Sequence, residues 1–254
     1  MHIPSDLSAY QAGADLLAGK NLLVTGASAG IGRAAALAFA AHGATVILLG
    51  RTEGKLTEVY DAIDAAGYPK AAIAPFDLAS NDEAAYAALA TQLQDHFGSL
   101  HGLLHNAGML GPLKPLSQYA ANDFQQVLDI NLRSNFLLTR ALMPILETAG
   151  HASVVFTSSS VGRKGRAYWG AYAISKFGVE GMMQVWADEL CNTSDVRVNS
   201  LNPGATRTAM RRSAYPAEAA DANPEPRQIM GAYLYLMGDD SIGVNGQALN
   251  ARPL

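Results

Sequence analysis

Short, continuous apolar runs alternate with helix-period segments along almost the whole chain, and this alternation constrains the fold more than any other feature. Runs at Asn21–Gly26, Ala44–Gly50, Lys70–Phe76, His101–Asn106, His151–Ser158 and Val196–Asn202 read as strands. Between them Gly30–Ala41, Glu53–Ala66, Ser80–Phe97, a long helix within Asn122–Glu147, and Gly170–Cys191 read as helices. The third helix is expected to open on a cap at Ser80 or Asn81, with Glu83 completing it. Strands that lack polar alternation are covered on both faces. With right-handed crossovers the predicted fold class is α/β: a doubly wound, Rossmann-type parallel sheet between two helical layers. At 254 residues the chain is expected to form one such domain, residues 1–254. Ala209–Arg227, with Pro216, Pro224 and Pro226, breaks the rhythm and is expected to be a lid over the C-terminal edge of the sheet.

Composition removes several other classes. Hydrophobic residues make up 49% and charged residues 16%, which excludes a disordered chain. Eighteen Lys plus Arg against 22 Asp plus Glu leave a net charge of −4, so no broad basic surface for nucleic acid is expected. The single cysteine, Cys191, cannot form an intramolecular disulfide and suits a reducing, cytoplasmic setting. Met1–Lys20 lacks a secretory pattern. Ala34–Gly50 is charge-free, but His42 and Gly43 divide it into a helix and a strand, so no membrane span is predicted. His101 and His105 flank a strand, where four residues span about 13 Å, so they predict no metal site. Thr157–Ser160 lacks the glycines of a nucleophile elbow.

The first strand runs directly into Thr25-Gly26-Ala27-Ser28-Ala29-Gly30-Ile31-Gly32-Arg33. A glycine turn between a strand and a helix lets backbone approach a pyrophosphate at the helix N-terminus. Gly26, Ser28, Gly30, Ile31 and Gly32 are therefore candidate cofactor contacts. An acidic residue about 20 positions on would hold the ribose hydroxyl of NAD. Here the second strand ends in Gly50 and Arg51, with no carboxylate. A guanidinium suits a 2′-phosphate, which predicts NADP(H) in preference to NAD(H). Arg33 is a further candidate for that phosphate.

Downstream, Ser158-Ser159-Ser160-Val161-Gly162 leads to Tyr172-Ala173-Ile174-Ser175-Lys176. Tyr172 and Lys176, at i and i+4, share a helix face. A nearby ammonium favours the phenolate, so tyrosine becomes usable as an acid or base near neutral pH. Tyr168 competes for the role, but the residue four beyond it is Tyr172 rather than a lysine.

Thr25–Gly32, His105–Gly108, Ser159, Tyr172 with Lys176, and Pro203-Gly204 occur in the order found in short-chain dehydrogenases/reductases, and the chain resembles that family over nearly its whole length. Phe156–Arg166, Gly181–Glu189 and Asn202–Met210 resemble its bacterial YciK branch, a set of oxidoreductases. The resemblance implies that Tyr172 is the general acid/base and that Lys176 tunes it and holds the nicotinamide ribose. It implies that Ser159, 13 residues before Tyr172, binds the substrate oxygen, and that Asn131 anchors a proton relay to Lys176. Ser158 and Ser160 are left to strand-end hydrogen bonding. Further implied cofactor contacts are Asp77 and Leu78 at the adenine, Asn106, Ala107 and Gly108 near the adenine ribose, and Pro203, Gly204, Thr206 and Thr208 on the nicotinamide side.

The expected activity is hydride transfer between a nicotinamide and a small carbonyl or alcohol substrate, in a homodimer or homotetramer. An NADP(H)-binding sensor on the same fold and a 3-oxoacyl-thioester reductase are the alternatives. Two departures stand out: His105 replaces a second asparagine, and the residues after Gly246-Gln247 lack the usual Asp-Gly-Gly.

Overall fold

The computed structural model describes residues 3–219 and 221–253. Its strands are β1 (Asn21–Thr25), β2 (Thr45–Gly50), β3 (Ala72–Pro75), β4 (Gly102–His105), β5 (Ser153–Thr157), β6 (Arg197–Asn202) and β7 (Ala248–Asn250). They form one seven-stranded sheet in the order β3-β2-β1-β4-β5-β6-β7. Every pairing is parallel, with Leu23 opposite Ile47 on one side and Leu103 on the other. The order reverses between β1 and β4, the switch point at which ligands bind in open α/β sheets.

The helices are α1 (Gly30–Ala41), α2 (Glu53–Ala65), α3 (Glu83–Phe97), α4 (Ala121–Leu128), α5 (Ser134–Glu147), α6 (Gly170–Leu190), α7 (Ala209–Ala214) and α8 (Met230–Met237). Strand side chains alternate between two cores. Leu22, Val24, Val46, Leu48 and Leu104 pack against α1, α2 and α8. Leu23, Ile47, Leu49, Leu103 and Phe156 pack against α3, α5 and α6. Burying each such side chain contributes about 1.5–3 kcal/mol, and this double coverage is why the strands show no polar alternation. Met183 is buried in the second core, and the partly buried Met182 and Trp186 pack on it.

Local chemistry adjusts the expected boundaries. Helix α3 is capped by Asp82, whose carboxylate accepts from the Ala84 amide at 3.0 Å; neither Ser80 nor Asn81 is the cap. Ser80 instead accepts from the Asp82 amide through its hydroxyl at 3.2 Å. The long helix expected within residues 122–147 is interrupted by a π-turn, Asp129–Arg133, between α4 and α5. The 209–227 segment is not featureless. It begins with α7, and the Arg207 amide ties its base to the Pro224 carbonyl at 2.8 Å. Strand β7 forms without the usual glycines, and Arg252 after it donates to the Ala205 carbonyl at 2.9 Å.

Candidate active site

Helix α1 closes tightly on its own entry turn. A Cβ on Gly32 would lie 2.2 Å from the Gly26 carbonyl oxygen and 2.6 Å from Asn106 Nδ2, so only glycine fits. No side chain caps α1, because Ala29 stands at the cap. Its first amides therefore stay free at the positive end of the helix dipole, a cradle that fits a pyrophosphate. Ser28 is half-buried beside them, and Gly30 and Ile31 open the helix. Thr25, not singled out from sequence, joins this loop to the next. Its hydroxyl donates to Leu104 O at 3.2 Å and accepts the amides of Asn106 and Ala107 at 2.9 and 3.0 Å.

Arg51 is exposed immediately after β2, and Arg33 is exposed on α1. Neither joins an ion pair among the described residues. Asp77 is exposed after β3, and its carboxylate accepts the Ala79 amide at 3.0 Å. Leu78 is buried and its carbonyl accepts from Tyr86. On the opposite rim Pro203 and Thr206 are buried while Gly204 is exposed. The Thr206 hydroxyl turns inward to Pro203 O at 3.3 Å, and Thr208 caps α7 through the Arg211 amide at 3.1 Å. Both threonine side chains therefore already shape this loop.

Tyr172 and Lys176 lie on the first turns of α6, with the ammonium 5.7 Å from the phenol ring centroid. Ser159, just past β5, lies beside the Tyr172 phenol, and its hydroxyl also accepts the Val161 amide at 3.4 Å. Gly162 makes that approach possible: a Cβ there would lie 2.8 Å from Lys176 Cβ and 2.9 Å from its carbonyl carbon. Tyr172 is 8% exposed, whereas the competing Tyr168 is 61% exposed and holds a left-handed φ of 71°. Tyr172 thus lies buried beside Lys176, whereas Tyr168 is exposed.

Electrostatics departs from the simplest expectation. Burial pushes the Tyr172 phenol up to about 12, opposed by the Ser159 hydrogen bond. Burial also brings Lys176 down to about 8, opposed by the charge of Glu180. Among the chain's own groups, desolvation of Tyr172 outweighs that hydrogen bond, so the phenol holds its proton at neutral pH. Lys176 Nζ donates to Thr157 O at 2.7 Å.

Asn131 sits inside the π-turn, fully buried. Its amide grips both peptide groups of Met109: Oδ1 accepts from Met109 N at 2.7 Å, and Nδ2 donates to Met109 O at 2.8 Å. Nδ2 also donates to Ser175 Oγ at 3.0 Å, joining α6. A π-turn frees carbonyls from the helical ladder. Here Asn135 Nδ2 takes the Asn131 carbonyl at 2.9 Å and Ser134 Oγ takes that of Ile130 at 2.7 Å. A Cβ on Gly108 would lie 3.5 Å from Asn131 Oδ1 and 4.0 Å from Lys176 Nζ, so the three residues share one corner. Behind it His105 stacks on Phe156 at 4.7 Å, with Nε2 2.8 Å from Thr139 Oγ1.

Sequence reasoning also missed Glu180, one turn beyond Lys176. It is 6% exposed. Ser158 and Ser200 donate to its two oxygens at 2.6 Å each, and Arg163 Nε donates at 3.1 Å. Its sequence signal was a lone acid at i+4 from the lysine, easily taken for helix surface.

A doubly wound sheet with a bare helix N-terminus at its switch point and a buried tyrosine–lysine pair beside it defines a Rossmann-type nucleotide-binding protein. More narrowly, the chain belongs to the short chain dehydrogenase family, whose profile matches residues 20–219. It is 48% identical to the oxidoreductase YciK of Escherichia coli K12, over 96% of each chain. A short chain dehydrogenase structure from Pseudomonas syringae superposes with a TM-score of 0.94 at 56% identity, covering 96% of this chain and 98% of that one. Another, from Escherichia coli CFT073 in complex with NADPH, gives 0.92 at 48% identity, covering 95% and 100%. Among the described residues no helix is long and apolar enough to cross a membrane.

Proposed function

We propose that this chain is an NADP(H)-dependent oxidoreductase that interconverts a carbonyl and an alcohol. The observation that carries the reading is the convergence of Ser159, Tyr172 and Lys176 at the C-terminal edge of the sheet, beside the free N-terminus of α1. The free amides from Gly30 to Gly32, with Gly26 and Ser28 in the turn, would hold the pyrophosphate. Arg51 would meet a 2′-phosphate, supported by its exposure and by its lack of an ion pair among the described residues. Asp77 and Leu78 would flank the adenine, Asn106, Ala107 and Gly108 the adenine ribose, and Pro203, Gly204, Thr206 and Thr208 the nicotinamide side. The NADPH complex of the Escherichia coli CFT073 relative supports NADP(H) over NAD(H).

When bound, the nicotinamide supplies or accepts the hydride. The chain handles the proton. Ser159 donates a hydrogen bond to the substrate oxygen and fixes it against the Tyr172 hydroxyl. Tyr172, protonated at neutral pH, gives its proton to that oxygen during reduction and takes it back during oxidation. Lys176, its charge beside the phenol, stabilises negative charge that develops there. Asn131, in the π-turn, holds the Met109 peptide next to Gly108, which lies close to Lys176, and would anchor the proton's route outward.

Trp169 lies 5.8 Å from Tyr172 and 5.9 Å from Tyr215, and Arg166 donates to the Tyr215 hydroxyl at 2.7 Å. These contacts support a lid role for the 209–227 segment over one nucleotide-binding domain. Exposed Phe136 on α5, with Ile174 and Phe177 on α6, supports a homo-oligomer joined through these helices.

The test is NADPH consumption by the purified protein across aldehydes, ketones, diketones and 3-oxoacyl thioesters. Turnover of at least one class is expected. Tight NADPH binding with no turnover on any of them would favour the sensor reading.

A further inference from the structure

Glu180 is a buried carboxylate outside the catalytic set, yet it accepts hydrogen bonds from three residues on separate stretches of the chain, Ser158, Arg163 and Ser200. It stands on α6 exactly four residues after Lys176. Ser158, immediately before Ser159, donates to Oε1 at 2.6 Å, and Ser200 on β6 donates to Oε2 at 2.6 Å. Arg163, which follows the short helical turn after Ser159, donates to Oε1 at 3.1 Å. The same guanidinium reaches β7, donating to Asn250 Oδ1 at 2.9 Å and Leu249 O at 2.8 Å. Asn202, before the Pro203-Gly204 loop, closes the network on Asn250 Oδ1 at 3.0 Å.

We propose that Glu180 is a positioning residue of this site: its carboxylate locks the strand end that carries Ser159 to the helix that carries Tyr172, and keeps a negative charge behind Lys176. A neutral residue of similar size could fill the space, but it could not accept from two serines and a guanidinium together. Burying a carboxylate is costly unless it is fully hydrogen-bonded, and here both oxygens are used.

The groups facing Lys176 come from several elements. Tyr172 and Glu180 share its helix. His105 approaches from β4 and is held neutral by burial. Arg163, on the loop after β5, pairs with Glu180 through Nε at 3.1 Å. Tyr233 on α8 lies behind Tyr172 and is pushed upward by burial, so it too is neutral. Glu180 is therefore the acid in this set, and it opposes the burial that draws the lysine toward its neutral form.

This inference rests on the catalytic reading of Tyr172 and Lys176, and the experiment separates the two. Glu180→Gln in the full-length protein keeps the shape and removes the charge. The Lys176 titration, followed by NMR of isotope-labelled lysine, is expected to move down by about one pH unit, and the alkaline limb of kcat to move with it. Glu180→Asp, which keeps the charge, is expected to restore the limb while kcat stays reduced. A folded Glu180→Gln protein with an unchanged Lys176 titration overturns the proposal. Should that variant not fold, Ser158→Ala decides: a several-fold fall in kcat with the alkaline limb in place supports the lock, and wild-type kcat overturns it. Turnover that survives Tyr172→Phe would remove the catalytic reading itself, whereas the lysine titration needs no turnover and judges Glu180 alone.

Discussion

The two halves of the site are built by different means. The half around β1, α1 and β2 is a backbone device: an entry turn where Gly32 nearly touches Gly26, and a helix N-terminus left bare by Ala29. The half around α4, α5, α6 and β5–β7 is a side-chain device, in which Asn131, Lys176 and Glu180 are each held by partners on other elements. A nucleotide's phosphates need only free amides and space, which a short local sequence can supply. Proton transfer needs side chains fixed in geometry and electrostatics, and those require a second layer of buried hydrogen bonds. The two halves should therefore fail differently.

The largest expected effect on stability is in the backbone half. Gly32→Ala forces a methyl into the Gly26 carbonyl, and overpacking of this kind costs about 1–3 kcal/mol or more. A lower Tm and NADPH affinity reduced at least tenfold, measured by thermal melting and fluorescence titration, are the expected outcome. Next, Asn131→Ala leaves both peptide groups of Met109 without their buried partner, at about 1–3 kcal/mol of stability. Here kcat should fall more than NADPH affinity, and equal losses in both would erase the distinction between the halves. Arg51→Ala should weaken NADPH roughly tenfold and leave NADH almost unchanged, as comparison of the two dissociation constants will show.

A fourth prediction sharpens the comparison through pH. Burial lowers His105 from 6.5 to about 3, so the unfolded chain binds the proton more tightly than the folded one. The stability held by neutral His105 is complete above about 6.5 and is lost as pH falls from there through about 3. His105→Asn removes that linkage. Its Tm should decline less across this window than that of the wild type.

Legibility from sequence follows the same division. The six long strands and the glycine turn were legible because each is local: a run of apolar residues, or a turn between strand and helix. Tyr172 was separable from Tyr168 by the lysine at i+4, and Tyr172 is the buried one of the two. Asn131 was legible through the family resemblance, and the structure sets it within a π-turn. Helix α8 was not, because it is apolar all round, with seven of its eight residues buried, and so lacks the amphipathic period. Strand β7 is only three residues long. The cap of α3 was misplaced because three polar residues stand in a row, Ser80, Asn81 and Asp82, and only geometry chooses among them. Glu180 was invisible because its serine partners lie 20 and 22 residues away in sequence.

The central claim is that nucleotide binding and proton transfer are held by separable parts of the site. Its most direct test is NADPH affinity and carbonyl turnover measured side by side in wild type and Tyr172→Phe. Affinity within about twofold of wild type, with turnover reduced by about 10²-fold or more, is the predicted result. Near-normal turnover in the variant, or a loss of affinity that matches the loss of turnover, would contradict it.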